Sequence, residues 1–348
     1  EPKITLASIH ATKGLEWDHV FVLGVSDGYL PFIQAETQDE INEELRLLYV
    51  ATTRAKENLY LSWAKSRDSD SGERIISRFL NQKNKLYDAI KYGLFSGGKK
   101  FRPYLIINSG EIFGLNYREL IKVAAAVECI HSYSLIHDDL PSMDNDDFRR
   151  GKLSVHKAFG ESTAILAGNS LLTLAFEILT SSSMRSSSKI KSDLVHALAS
   201  ASGYYGIAGG QFLDLRFEKK KVTKDLIINM QNKKTGELIS FCLESSAILS
   251  GKERERSFLK KVGLDIGLLF QVTDDLLDVF GDSKKIGKPT RRDNKKGKAT
   301  IIRNLGVNKT IEFSYKLIDG INERLKNRYG TRADSLIDSV NFLLKREH

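Results

Sequence analysis

The chain has 348 residues, 41% hydrophobic and 28% charged, which is enough apolar sequence for a sizeable core and argues against disorder. No run approaches about 18 consecutive apolar residues, so no membrane span is predicted, and the opening EPKITLASIH does not read as a secretory signal. The net charge of +9 is uneven: residues 1–82 carry 9 Lys+Arg against 13 Asp+Glu, a net of −4, and residues 83–348 carry 44 against 31, a net of +13.

In chain order, His19–Val25 (HVFVLGV) reads as a buried strand, Glu40–Ala55 as a helix and Leu59–Ala64 (LYLSWA) as a second strand. This strand–helix–strand order predicts a small α/β unit. Both tryptophans, Trp17 and Trp63, fall within it, and the polar, turn-rich Lys65–Gly72 predicts its end. With the change of charge, this places one domain at 1–82 and a second at 83–348. About two domains is also what the length predicts. Beyond residue 83 the only prolines are Pro103, Pro141 and Pro289, and the last two are separated by 147 proline-free residues, which favours long helices. The runs at 119–137, 162–179 and 263–280 are helical and apolar nearly all round, as in the interior of a large bundle. Ser181–Lys191 (SSSMRSSSKIK) reads as a solvated loop. The expected fold class is therefore mainly α, preceded by a small α/β fragment. Cys129 and Cys242 lie far apart in apolar sequence, which suits a reducing cytoplasm rather than a disulfide framework or cysteine metal site.

Two aspartate arrays stand out. HDDLPSMDNDDFRRG contains Asp138, Asp139, Asp144, Asp146 and Asp147, followed by Arg149 and Arg150; QVTDDLLDVFGD contains Asp274, Asp275 and Asp278. Asp274 and Asp278, four apart, project from one helix face. Asp138 and Asp144 are six apart, about 240° of rotation on an ideal helix, with Pro141 between them. The helix is therefore expected to end or bulge there and return both carboxylates toward one site. Close carboxylates repel, and a divalent cation would offset that cost. Hard oxygen donors without cysteine point to Mg²⁺ rather than Zn²⁺. A single array would more often be solvated caps and surface charge. Two arrays 136 residues apart, each following an apolar helix, argue against that reading.

Cationic residues complete the pattern. GGKKFRP offers Lys99, Lys100 and Arg102 beside two glycines, where backbone can approach an anion. Lys234 and Thr235 lie in NKKTGE, Lys288 in IGKP and Lys298 in KGKAT. Mg²⁺ on carboxylates, with Arg and Lys, is a way to hold a diphosphate.

GGKKFRP, AAAVECIHSYSLIHDDLPSMDNDDFRRG, HKAFGESTAILAG, GGQFLDL, KTGELI, FQVTDDLLDVFGD and GKATII occur in this order. Through them, residues from about 85 to 348 resemble the trans-type short-chain prenyl diphosphate synthases that make farnesyl and geranylgeranyl diphosphates. The resemblance implies an all-helical isoprenoid synthase bundle, a homodimer, and head-to-tail condensation of isopentenyl diphosphate with an allylic diphosphate. It implies Mg²⁺, three per active site, on Asp138, Asp139, Asp144, Asp274 and Asp278. Asp138, Asp139, Asp144, Arg149, Lys234, Asp274 and Asp275 would be catalytic. Lys99, Arg102, His131 and Arg150 would bind isopentenyl diphosphate. Arg149, Lys234, Thr235, Gln271, Lys288 and Lys298 would bind the allylic diphosphate. A bulky residue just upstream of the first array limits chain growth in this family. Here Tyr133 and Ser134 stand five and four residues before Asp138, implying a C15 product, farnesyl diphosphate, with C20 as the alternative. Two positions depart from the family pattern: its usual Asp in ILAGD is Asn169, and Lys233 precedes Lys234. Family members also carry roughly 30 further residues, with a first helix, before the matching region.

Thr5–Phe32 and Glu43–Ala64 resemble the last motor motifs of UvrD/Rep-type superfamily-one DNA helicases, in which residues matching Glu16 and Arg54 meet nucleotide. The chain has no GxxxxGK[ST] loop to cradle ATP, and a net −4 opposes autonomous DNA binding. The expectation is a non-functional helicase fragment, no nucleic-acid partner and a cytoplasmic synthase. The alternative is a DNA-helicase remnant or binding module carrying an inactive synthase.

Overall fold

A computed structural model describes residues 4–12, 14–64, 74–80, 84–280 and 298–344. The chain divides into two compact units, Glu1–Asn84 and Lys85–His348.

In the first unit β1 (Trp17–Val22) pairs in parallel with β2 (Ala55–Leu61), and α1 (Gln38–Thr52) connects them. Both strands lie earlier in the chain than the hydropathy suggests, because their ends are set by pairing: Trp17 opposes Ala55 and Val22 opposes Leu61. The helix starts two residues before Glu40, since Thr37 and Glu40 form a reciprocal capping box that satisfies the first free N–H groups. Val22, Val25, Leu30, Leu48 and Ala51 form a small core. Lys65–Gly72 lies outside the described residues.

The second unit is a helical bundle. Its helices are α2 (Lys85–Leu94), α3 (Phe101–Glu111), α4 (Tyr117–Asp138), α5 (Val155–Phe159), α6 (Glu161–Thr180), α7 (Ser188–Ser202), α8 (Ile207–Phe217), α9 (Lys224–Gln231), α10 (Glu237–Leu249), α11 (Glu253–Phe280), α12 (Ile301–Leu305), α13 (Val307–Tyr329) and α14 (Asp334–Asn341). A short hairpin, β3 (Phe148–Arg149) with β4 (Lys152–Leu153), follows α4. One π-helical turn, Asn232–Gly236, joins α9 to α10.

The most central helix is α10, whose residues Leu238–Ile248 are all buried, between α3, α7 and α11. It lies outside the three apolar runs, at 119–137, 162–179 and 263–280, expected in the interior. One of those three, α6, is buried on one face only: Ala164, Ala167, Leu171 and Ala175 pack inward while Ile165 and Leu166 are exposed. Apolar composition identified core-forming helices but not which face each one buries. By length and composition α6 could cross a membrane, yet its buried stripe packs against α2 and α4 as part of the bundle core. The expected loop at Ser181–Lys191 ends early: Ser187 caps α7 by accepting the Ile190 N–H.

Helices α10 and α11 approach closely through glycine. A Cβ on Gly267 would lie 2.5 Å from the Gly236 Cα, so α11 rests directly on the backbone of the π turn. Lys234 and Thr235 stand on that same turn.

Candidate active site

Helix α4 ends at Asp138, and Asp139 caps it. The chain then folds back through Pro141, and the Asp144 N–H donates to the Asp138 carbonyl at 2.9 Å. The return expected from the proline is present, and it brings Asp138 and Asp144 together. Burial pushes the Asp138 carboxyl up to about 6; Asp144 and Asp139 add to the rise, and Lys234 and Arg149 oppose it.

The neighbouring Asp139 does something different. It is 2% exposed and receives Arg149 in a fork, with Nε 2.9 Å from both carboxylate oxygens and Nη2 2.5 Å from Oδ1. Burial still raises the Asp139 carboxyl, while the pair holds Arg149 more firmly charged against the cost of its own burial. Hairpin β3–β4 thus places Arg149 beside the acidic turn.

Facing this turn is a lysine pair. Lys234, on the π turn, donates to Asp214 Oδ2 at 2.7 Å. Lys298 donates to the same oxygen at 2.8 Å, to Asp144 Oδ1 at 3.0 Å and pairs with Glu218 at 2.9 Å. Burial alone would raise the Asp214 carboxyl, but Lys234 and Lys298 together hold it below its ordinary range. Burial opposes the charge on Lys298, and Asp214 and Asp144 outweigh that, raising it. Thr235 donates to the Gln271 side-chain oxygen at 2.9 Å, tying the π turn to α11.

The second array divides as the first does. Asp274 is exposed and Asp278 partly so. Asp275 is 4% exposed and turns inward, accepting from the Gln231 amide at 3.4 Å and the Ile301 N–H at 3.3 Å. It fastens α9 and the start of α12 to α11. Lys288 lies outside the described residues.

A separate cluster is almost purely cationic. Lys99, Arg102, His131 and Arg150 line one cavity, with Glu128 as its acid. Glu128 pairs with Lys100 at 2.7 Å. Arg150 donates to the Gly97 carbonyl. The Arg102 Nε is buried with no hydrogen-bond partner, and burial lowers the guanidinium's proton affinity. Burial, then Arg102, Arg150, Arg149 and Lys100, depress His131 well below its ordinary value, so it is neutral at pH 7. A buried cation with an orphaned donor, among like charges, is chemically complementary to an anion.

Tyr133 is 9% exposed on the buried face of α4, its ring edge-on to His137 at 5.5 Å. Ser134 donates back to the His131 carbonyl at 2.9 Å. Among the described residues no group of three or more His, Cys, Asp or Glu side chains converges as a closed metal cage. Mg²⁺ does not need one: it retains waters and binds through one or two carboxylates plus substrate phosphates. The raised Asp138 beside Asp144, both all-oxygen donors, fits that requirement.

The pattern of the polyprenyl synthetase family matches residues 83–333, most of the chain. The chain belongs to the polyprenyl synthetase family. Residues 1–66 match the UvrD-like helicase C-terminal domain. Among synthetase relatives, the farnesyl diphosphate synthase of Escherichia coli (strain K12) is 43% identical over 258 residues, covering 72% of this chain and 86% of that protein. Geranylgeranyl pyrophosphate synthase 4 of Arabidopsis thaliana is 40% identical over 271 residues, covering 76% of this chain and 71% of the relative. An apo FPP/GFPP synthase from Zymomonas mobilis superposes with a TM-score of 0.68 at 39% identity, covering 76% of this chain and 90% of that one. A Helicobacter pylori geranyltransferase complexed with magnesium and isoprenyl diphosphate gives 0.68 at 33% identity, covering 75% and 88%.

Three acids that pair with these cations do not stand out in the sequence: Asp214 and Glu218, which meet Lys298, and Glu128, which meets Lys100. Asp214 sits within GGQFLDL, an acid in an otherwise apolar helical turn, which was the available signal.

Proposed function

We propose that the chain is a Mg²⁺-dependent prenyltransferase that condenses isopentenyl diphosphate head-to-tail with dimethylallyl or geranyl diphosphate to give farnesyl diphosphate and pyrophosphate. The observation that carries this reading is the division of the site into two anion-binding halves. One half is the acidic turn at Asp138 and Asp144, faced by Lys234 and Lys298. The other is the buried cation cluster around Arg102. The two lie within electrostatic reach: Asp274 acts on Arg102, and Arg149 acts on His131. The second pocket, lined by cations with Glu128 as its one acid, suits a second anionic substrate rather than the same diphosphate.

Asp138 and Asp144, with Asp274 and Asp278 of the second array, would hold the Mg²⁺ ions, three by family resemblance. When bound, Mg²⁺ neutralises diphosphate charge and stabilises the departing pyrophosphate. Lys234, Lys298 and Arg149 orient the allylic diphosphate and meet the negative charge that grows as its C–O bond breaks. Thr235, fixed on Gln271, and Lys288 belong to the same half. Lys99, Arg102, Arg150 and neutral His131 seat isopentenyl diphosphate so that its double bond meets the allylic cation. Apolar helices keep water from that cation. The proton lost at the end passes to the pyrophosphate, so no side-chain base is assigned. Asp139, which the resemblance places with the metal ligands and catalytic residues, is engaged by Arg149, and Asp275, which it places with the catalytic residues, by Gln231 and the Ile301 N–H; we assign them instead to positioning Arg149 and the α9–α12 junction.

Tyr133, buried on α4 one turn above the acidic end, favours the C15 product over C20. We assign the chemistry to residues 83–348 and none to 1–82, where no nucleotide cradle and no nucleic-acid partner is expected. A homodimer in the cytoplasm fits the family resemblance and the two buried, unpaired cysteines. The test is to incubate the chain with Mg²⁺, labelled isopentenyl diphosphate and each of dimethylallyl, geranyl and farnesyl diphosphate, then size the products. A C15 endpoint that Asp138→Ala or Asp274→Ala abolishes supports the reading. No product with any primer defeats it, and DNA-stimulated ATP hydrolysis would favour the helicase reading instead.

A further inference from the structure

We propose that Asp214 is a positioning residue that holds Lys234 and Lys298 as a pair facing the acidic turn, so that both ammoniums engage the allylic diphosphate together. The inference rests on the diphosphate-binding reading of those two lysines. Three observations carry it. First, Lys234 and Lys298 come from distant parts of the chain, yet both donate to one oxygen, Asp214 Oδ2, at 2.7 and 2.8 Å. Two ammoniums that close repel unless an anion stands between them. Second, Asp214 is 5% exposed on α8, so it cannot be exchanged for water without rearrangement. Third, α8 also fixes the other end of Lys234. Gly210, one turn before Asp214 on the same face, lies so close that a Cβ there would fall 2.1 Å from the Lys234 backbone nitrogen. Helix α8 therefore grips the Lys234 main chain through Gly210 and its ammonium through Asp214.

The surrounding geometry separates this role from that of a metal ligand. The Asp214 oxygen that faces the site is occupied by two cations, and Lys298 continues to Asp144 and Glu218 at 3.0 and 2.9 Å. Asp214 thus sets where positive charge stands relative to Asp144 rather than adding a further donor. The π turn that carries Lys234 is a local departure from α-helix of the kind that re-aims side chains. Asp214 anchors that re-aimed lysine.

The test is calorimetric titration of inorganic pyrophosphate, in MgCl₂, into the full chain, with steady-state kinetics alongside. Asp214→Asn keeps the shape and removes the charge. We expect it to weaken pyrophosphate binding at least tenfold and to raise KM for geranyl diphosphate by a similar factor. KM for isopentenyl diphosphate should stay within about twofold, since that pocket shares none of these groups. In a Lys234→Met/Lys298→Met background, Asp214→Asn should change pyrophosphate binding less than threefold, because there is no lysine pair left to hold. Unchanged or tighter binding by Asp214→Asn, or an equal loss in both backgrounds, overturns the proposal. Wild-type chain that binds pyrophosphate but forms no prenyl product defeats the overall function while leaving the positioning role standing. Wild-type chain that binds no pyrophosphate defeats both.

Discussion

Replacing Asp138 with asparagine should make the empty protein more stable and the enzyme inactive. The Asp138 carboxyl sits at about 6 in the fold against 3.8 when free, chiefly because burial disfavours its charge. A folded-state value above the unfolded one means the fold binds more protons than the unfolded chain between those limits. Stability from this group is therefore lost as pH rises from about 4 to 6, and above that the ionised form costs about 3 kcal/mol. Asparagine does not titrate. Its advantage should be near zero at pH 4 and about 3 kcal/mol at pH 7.5 without metal. Both tryptophans lie within residues 1–64, so their fluorescence reports the wrong unit. Urea unfolding followed by far-UV circular dichroism reads the helical unit instead. The same variant should lose at least a hundredfold in kcat with Mg²⁺ and both substrates. Equal or lower stability at pH 7.5, or the same gain at both pH values, would refute the reasoning. It would mean that Lys234 and Arg149 offset the burial of Asp138 fully and that no destabilised carboxylate is held ready for a cation.

Arg102→Met removes a buried guanidinium whose Nε has no partner. It should raise KM for isopentenyl diphosphate about 10–100-fold, the worth of a charge-assisted hydrogen bond, with no fall in thermal midpoint. Tyr133→Ala opens the buried face of α4 and should extend products beyond C15, read by product chromatography; an unchanged C15 endpoint would remove Tyr133 from chain-length control. Gly267→Ala drives a methyl into the Gly236 backbone at 2.5 Å. It should cost about 1–3 kcal/mol in urea unfolding and raise KM for the allylic substrate through Thr235. Gly320→Ala on α13 is the control, since a Cβ there meets nothing within 4 Å; it should gain up to about 1 kcal/mol from helix propensity.

Much of the helical unit was legible because helices write a short-range period, and the break at Pro141 is a local event settled by a missing N–H. The caps were not: Thr37 in the first unit and Ser187 in the second start their helices earlier than the apolar period shows, because a cap is a polar residue outside that period. The strand boundaries of β1 and β2 were less legible, because pairing across the sheet decides where each ends. The central place of α10 was missed because three serines and Glu244 dilute its apolar signal; those serines are buried and satisfied, as Ser109 and Ser246 show by bonding at 2.6 Å.

By itself the sequence determined that two aspartate arrays end apolar helices, that a basic glycine-flanked motif accompanies them, and that the larger part of the chain is helical. Only the tertiary structure decided what each acid does. Asp138 and Asp139 are neighbours, yet one stands beside Asp144 and the other is taken by Arg149. Asp274 is exposed while Asp275 binds the Ile301 backbone. Lys298 reaches Asp144 across 154 residues of sequence. A residue's type and spacing set which face it occupies. Its charge state and partner depend on burial and on groups brought from elsewhere in the chain, and those exist only once the helices have packed.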